Sequence, residues 1–323
     1  MQPCCTDKGA MAPPKYIYIC SAGHSGSTLL DLLIGSHPRI ASLGEIAQLP
    51  KNIALNTQCS CGLPVRSCAV WSEVMRKVGS QIGIDLTTNP YGLRMGYTRA
   101  SAVIDTAHQT RLYLARRKLI LGLYYLRLKF RASFLDSVTA SVIDSIDNNV
   151  RVFEAVRQVL AVDAVVDSSK SYLKALALYR RHPDRVRILL LTRDGRAVSW
   201  SNMKRGASRA AAVREWRHQY TRALPLLRQH VSPAHILTIQ YESVATDTRA
   251  TLQSICSFVD LPFDDSMMNF RAKTHHVANG NRMRMSSTSE IKLDNEWRSR
   301  LTFEDLRFFE RKAGPLNRML GYT

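Results

Sequence analysis

Two short segments of this chain carry residues able to hold anions. The first runs Cys20-Ser21-Ala22-Gly23-His24-Ser25-Gly26-Ser27-Thr28-Leu29. Gly23 and Gly26 permit a tight turn and a close backbone approach. Ser25, Ser27 and Thr28 add hydroxyl donors. A helix that follows such a turn points free N–H groups and the positive end of its dipole at it, which favours a phosphate. The segment is not the triphosphate loop G-x-x-x-x-G-K-[ST], because Ser27 follows Gly26 where Lys is required. A grip on Mg-triphosphate therefore lacks its main cation, and a single phosphate carrying one further small group suits the turn better. The second segment is Leu191-Thr192-Arg193-Asp194-Gly195-Arg196-Ala197-Val198-Ser199-Trp200-Ser201. Arg193 stands where an apolar strand ends, Ser201 lies about two helical turns on, and Arg205 follows one turn later. Arginine offers phosphate a charge-assisted fork, so these three residues can converge on a second anion. Alone, each segment also reads as an ordinary turn. Their pairing points to one extended ligand with an anion at each end.

Sulfur and imidazole are the other reactive groups. Of seven cysteines, Cys59, Cys61 and Cys68 cluster as C-x-C-x6-C. An odd count in a long chain does not read as a disulfide scaffold. No fourth ligand lies close in sequence, so the segment is expected to be a compact loop of reduced thiols without a metal. The pair His275-His276 has no Asp, Glu or Cys spaced to complete a site, and reads as a loop or substrate contact.

The elements that must position these groups follow from the apolar pattern. Tyr16–Cys20 is a short β-forming run, the glycine turn comes next, and Leu29–Ile34 has helical spacing until His37-Pro38 stops it. Val186–Thr192 is apolar on both faces, as in a buried parallel strand. Further strands are expected at Ala164–Val166 and Ile236–Tyr241. Helices are expected at Tyr172–Tyr179, from Ala197, over Ala210–Gln229 with a kink at Pro225, over Arg249–Val259, and over Phe303–Met319 with a break at Gly314-Pro315. Residues 97–160 read as mostly helical, and Asn52–Ser67 as an excursion over the surface. Strands separated by helices imply a doubly wound parallel sheet, whose ligands sit at the carboxyl ends of its strands.

The 323 residues suffice for one large α/β domain, and 45% apolar residues is ordinary for a globular protein. The net charge of +19 is not ordinary, and points to an anionic partner. No recognition motif or aromatic-basic interleaving favours nucleic acid. Met1–Pro14 reads as a loose leader without an apolar signal core. The expected location is therefore cytoplasmic, with peripheral contact at a membrane surface left open by the basic stretch Arg94–Arg131. Arg and Lys within that stretch exclude a simple membrane span.

Together the two anion segments resemble the sulfotransferase superfamily, whose sulfuryl donor is 3′-phosphoadenosine-5′-phosphosulfate (PAPS). The motif layout is most similar to that of the tyrosylprotein sulfotransferases. Their loop P-R-S-G-T-T-L, then H-P, then G-E correspond to Gly23–Leu29, His37-Pro38 and Gly44-Glu45, and R-D-G-R-A recurs as Arg193–Ala197. The resemblance implies a P-loop-like three-layer α/β/α fold with a central parallel sheet and additional helices. It implies one domain over 15–323, with a basic helical insertion around 94–160. It also implies transfer of a sulfuryl group from PAPS to the hydroxyl of a glycan, lipid, small alcohol or peptide tyrosine, leaving PAP, with no metal.

On this resemblance Gly23, His24, Ser25, Gly26, Ser27 and Thr28 hold the 5′-phosphosulfate, and Arg193, Ser201 and Arg205 the 3′-phosphate. Tyr241 lies near the nucleotide. Glu45 is the base, and Lys170 stabilises the transition state. Arg282, Arg284, Ser286 and Lys292 fall where the family closes a loop over the donor. The family's Arg or Lys before S-G is replaced by His24, which shifts weight onto Lys170. The rival readings are a nucleotide-dependent phosphotransferase and a non-catalytic anion-binding protein.

Overall fold

The computed structural model describes residues 15–95, 111–286 and 288–323. The expected leader, and residues 96–110 of the basic insertion, lie outside them. Strand β1 (Lys15–Ser21) leads through the glycine turn into α1 (Ser27–Gly35), and then to β2 (Ile40–Gly44). Helices α2 (Leu49–Ala54), α3 (Ala69–Ile82), α4 (Arg111–Phe130) and α5 (Asp136–Leu160) precede β3 (Ala164–Lys170). Helix α6 (Tyr172–Arg181) joins β3 to β4 (Val186–Thr192). Helices α7 (Gly195–Met203) and α8 (Arg209–His230) lead to β5 (Ile236–Gln240). The chain ends in α9 (Tyr241–Thr246), α10 (Thr248–Phe258), the short α11 (Trp297–Arg300) and α12 (Phe303–Met319).

The sheet is parallel, in the order β2-β3-β1-β4-β5. Period-two alternation divides β1 between two cores. Tyr16, Tyr18 and Cys20 face α3, α5, α6 and α8, whereas Ile17 and Ile19 face α1 and α10. Helices thus cover both faces, which gives the three layers expected. From β1 the chain crosses toward β2, and from β4 it crosses the opposite way to β5. The neighbouring carboxyl ends of β1 and β4, where Ser21 lies beside Leu191, therefore flank a topological switch point.

Several boundaries differ from expectation. Strand β3 continues through Asp167-Ser168-Ser169-Lys170, because Lys174 Nζ, buried in α6, pairs with buried Asp167 at 2.8 Å and makes the polar run tolerable inside. Helix α12 runs through Pro315 without a break. Asn52–Ser67 is not a surface excursion throughout, since Ile53, Cys59 and Val65 are buried in the core. Strand β2 and helix α3 had no prominent apolar run to announce them. Among the described residues no helix is long and apolar enough to cross a membrane.

Candidate active site

At the switch point the two anion segments open into one cavity of about 660 Å³, a size typical of small-ligand sites. Gly23, His24, Gly26, Ser27 and Thr28 form one wall, and Arg193, Ser201, Lys204 and Arg205 another. Glu45, Gln48 and Lys170 line the region beside the loop, and Tyr241, Asn279, Asn281, Lys292 and Asp294 complete the enclosure.

The glycine loop is shaped by backbone constraints. Gly26 has φ +84°, and a Cβ there would overlap the Tyr241 ring, so only glycine fits. No side chain caps α1, so the N–H groups of its first turn remain free for a ligand. Ser25 differs from its neighbours: it is fully buried and does not line the cavity. Burial, and then the charges of Arg205, Lys170 and Arg193, push the His24 imidazole below its usual range. His24 is therefore a neutral hydrogen-bonding group at neutral pH, not the fixed cation the family carries there.

Arg193 is almost wholly buried. Its Nη1 donates to the His24 carbonyl at 2.9 Å, which ties the second anion segment to the first. Nη2 donates to the Asp294 carbonyl and pairs with the Asp294 carboxylate, both at 3.0 Å. The guanidinium stacks 4.3 Å from the Tyr241 ring centroid, and its buried Nε has no partner among the described residues. Arg193 itself lines the cavity, and its guanidinium offers an anion there charge-assisted hydrogen bonds. The Tyr241 hydroxyl in turn donates to the Lys292 carbonyl and accepts from the Asp294 amide, each at 3.3 Å, so one ring supports both the glycine loop and a strap made of residues 275–286 and 288–294.

Glu45 and Lys170 form a direct ion pair at the cavity edge. Gln48 Nε2 donates to the second Glu45 oxygen at 3.1 Å. Lys170 ends β3 with φ +70°, a left-handed conformation that costs a lysine energy and must be held in place. The hold is an internal network: Asp167 accepts from the Ser169 amide at 2.8 Å and pairs with Lys174, and the Ser169 hydroxyl accepts from Ala47 N–H at 3.2 Å. Thus the end of β3 also fixes the turn bearing Glu45.

Helix α8 fastens the strand ends from below. Gln219 Nε2 donates to the carbonyls of Ser21 and Lys170, at 3.1 and 3.4 Å. The Tyr220 hydroxyl donates to the Leu191 carbonyl at 2.9 Å and accepts from Ala22 N–H at 3.3 Å. Trp216 Nε1 donates to the Arg193 carbonyl at 3.3 Å. In sequence these three read as helix interior, so nothing local marked them. Arg282 and Arg284 do not line the cavity. The Arg284 guanidinium instead donates to the Gln58 carbonyl at 2.9 Å. Ser286 also lies outside the cavity lining, whereas Lys292 is part of it.

A model of the sulfotransferase family matches residues 103–265. The chain belongs to the sulfotransferase family. Lys170, Arg193, Ser201, Arg205 and Tyr241 fall inside the matched stretch, and the glycine loop and Glu45 precede it. Two solved structures share the fold of this sulfotransferase. The sulfotransferase domain of the Synechococcus PCC 7002 olefin synthase is 20% identical with a TM-score of 0.51, over 95% of this chain and 98% of that one. The sulfotransferase domain from the curacin biosynthetic pathway is 16% identical with a TM-score of 0.50, over 96% and 98%. No curated protein matches the chain.

Proposed function

We propose that the protein transfers the sulfuryl group of PAPS to the hydroxyl of an acceptor. The observation that carries this reading is the single cavity in which the glycine loop and Arg193 face one ligand space with the Glu45–Lys170 pair at its edge. A nucleotide with a 5′-phosphosulfate and a 3′-phosphate has anions at two ends, and the cavity has a donor set at each. The donor brings an activated sulfuryl group when bound.

The loop amides, Ser27 and Thr28 orient the 5′ end, and Arg193 with Ser201 and Arg205 fixes the 3′ end. Glu45 accepts the acceptor's proton as its oxygen attacks sulfur, in line with the breaking S–O bond to the 5′-phosphate. Negative charge then collects on the departing phosphate oxygen. Lys170, released from Glu45 as that carboxylate takes the proton, moves onto this oxygen, and neutral His24 donates to it. Such preorganised donors contribute about 3 kcal/mol each. The step needs no covalent enzyme intermediate.

Incubation with ³⁵S-labelled PAPS and a pooled extract of hydroxyl-bearing compounds tests the reading. Labelled product should form with the native chain, and label from γ-³²P ATP should not transfer. Phosphoryl transfer from ATP, or binding of PAPS without any labelled product, would support the phosphotransferase or the non-catalytic alternative instead. Weak attraction to anionic acceptors or membrane surfaces is a further proposal, which rests on the charge of +19.

A further inference from the structure

The three thiols of the C-x-C-x6-C segment do have a fourth neighbour. Cys59 Sγ, Cys61 Sγ, Cys68 Sγ and a ring nitrogen of His276 all lie within 4.8 Å of one another, and the Cys68 sulfur is 3.2 Å from His276 Nδ1. His276 stands 208 residues from Cys68 along the chain, which is why no reading of local spacing found it. A tetrahedral zinc site with metal–sulfur bonds of about 2.3 Å and metal–nitrogen bonds of about 2.0 Å has ligand–ligand edges of roughly 3.5–3.8 Å. The four atoms are already close to that arrangement, and all the cysteines among the described residues are unbridged.

We propose that Cys59, Cys61, Cys68 and His276 bind one zinc ion that staples the cysteine loop to the strap forming one wall of the cavity. Three observations support a built site. First, the backbone is folded to present the thiols together. Cys59 N–H donates to the Leu63 carbonyl at 2.8 Å, and Gly62, at φ +92°, donates back to the Cys59 carbonyl at 2.9 Å, which closes a tight knuckle. Cys68 occupies the N-cap position of α3, where the helix dipole favours a thiolate.

Second, the surroundings suit the charge. Three thiolates around Zn²⁺ leave one net negative charge, and the Arg284 guanidinium is anchored at 2.9 Å on the carbonyl of Gln58, the residue before Cys59. Cys59 and Cys68 are buried, while Cys61 and His276 are partly exposed, so an ion has a way in. Third, the residues between ligand and cavity are already joined. Ser60 N–H donates to the Val277 carbonyl at 3.1 Å, Val277 N–H donates to Ser60 Oγ at 2.8 Å, and Trp71 Nε1 donates to the His276 carbonyl at 2.8 Å. Three residues after His276, the Asn279 carbonyl accepts from Glu45 N–H at 3.4 Å, and Asn279 and Asn281 line the cavity. Four protein ligands leave no open position, which marks the ion as structural. The thiols give up their protons to solvent as the metal binds.

The full-length chain, purified under reducing conditions from zinc-containing medium without chelator, should hold about one zinc ion by elemental analysis. Cys68→Ser and His276→Ala should lose most of it, and His276→Cys, which completes a four-thiolate set, should retain it. Should the first two variants fail to fold, the native chain still decides: blocking its thiols with a mercurial should release about one zinc ion to an indicator dye. After release, hydrogen exchange should accelerate in residues 59–68 and 275–281 and stay unchanged in β1 and β4. A reduced chain without zinc, zinc content indifferent to Cys68→Ser, a disulfide among the three cysteines, or thiol blocking without release would each overturn the site. Unchanged exchange in 275–281 would overturn the staple.

Discussion

The two sides of the cavity are built in different ways. One side consists of strand ends: the loop after β1, Lys170 at the end of β3 and Arg193 after β4, all bound to a parallel sheet and fastened by Gln219, Tyr220 and Trp216 of α8. The other side is the strap of residues 275–286 and 288–294, which has little regular structure and is held by Tyr241, Ser60, Trp71 and the cysteine cluster. The difference separates two tasks. In the proposed function, the groups that stabilise developing charge sit on strand ends of the sheet, where preorganisation costs nothing at the moment of reaction. In the same reading, the groups that enclose the ligand sit on a segment with little regular structure.

Breaking the rigid side should have the largest effect. Lys170→Ala is expected to lower kcat by about 10²–10³-fold, and Glu45→Gln by about 10²–10⁴-fold, while both variants keep their affinity for adenosine 3′,5′-bisphosphate. Single-turnover rates with labelled donor, beside calorimetric binding, check this. A variant that loses binding and turnover together would place its residue in ligand holding rather than in chemistry.

A second probe of the rigid side reads stability. Asp31 of α1 is fully buried and takes a hydrogen bond from Ser42 of β2, and burial pushes its carboxyl up to about 7. In the unfolded chain it titrates near 3.8, so folding favours the protonated form. The cost of this group is absent below about pH 4, grows by about 1.4 kcal/mol per pH unit toward pH 7, and is complete above it. Asp31→Asn stays neutral throughout. Its Tm, relative to the native chain, should therefore rise between pH 5 and pH 8, and a difference constant with pH would contradict the assignment.

The smallest effect belongs to the strap. The Asp294 carboxylate, partly exposed, pairs with Arg193 and so competes with an incoming anion. Asp294→Asn should tighten adenosine 3′,5′-bisphosphate by about two- to fivefold, as suits a half-exposed pair. Weaker binding would mean that Asp294 supports the site instead.

The same contrast explains what could be read from the chain. The glycine turn, Arg193 and the apolar strands β1 and β4 are local signals, because a parallel strand is recognisable from its own residues and the loop that follows it inherits a known place. Lys174 was not legible, since a lysine in an amphipathic helix reads as exposed until its buried partner Asp167 is known. Gln219 and Tyr220 looked like helix interior for the same reason. Arg282 and Arg284 were expected at the donor and lie outside the cavity lining, because irregular segments carry no periodicity to fix their direction. His276 was dismissed as a ligand because its partners are remote in sequence and adjacent only after folding.

The central claim is that one ligand spans the two anion sites, and calorimetry with adenosine 3′,5′-bisphosphate and with 5′-AMP on the native chain and Arg193→Ala tests it most directly. The native chain should prefer the bisphosphate by about 10- to 100-fold, the worth of charged hydrogen bonds to one phosphate, and Arg193→Ala should bind the two nucleotides almost equally. A native chain that does not distinguish them, or a variant that keeps the full preference, would contradict the account.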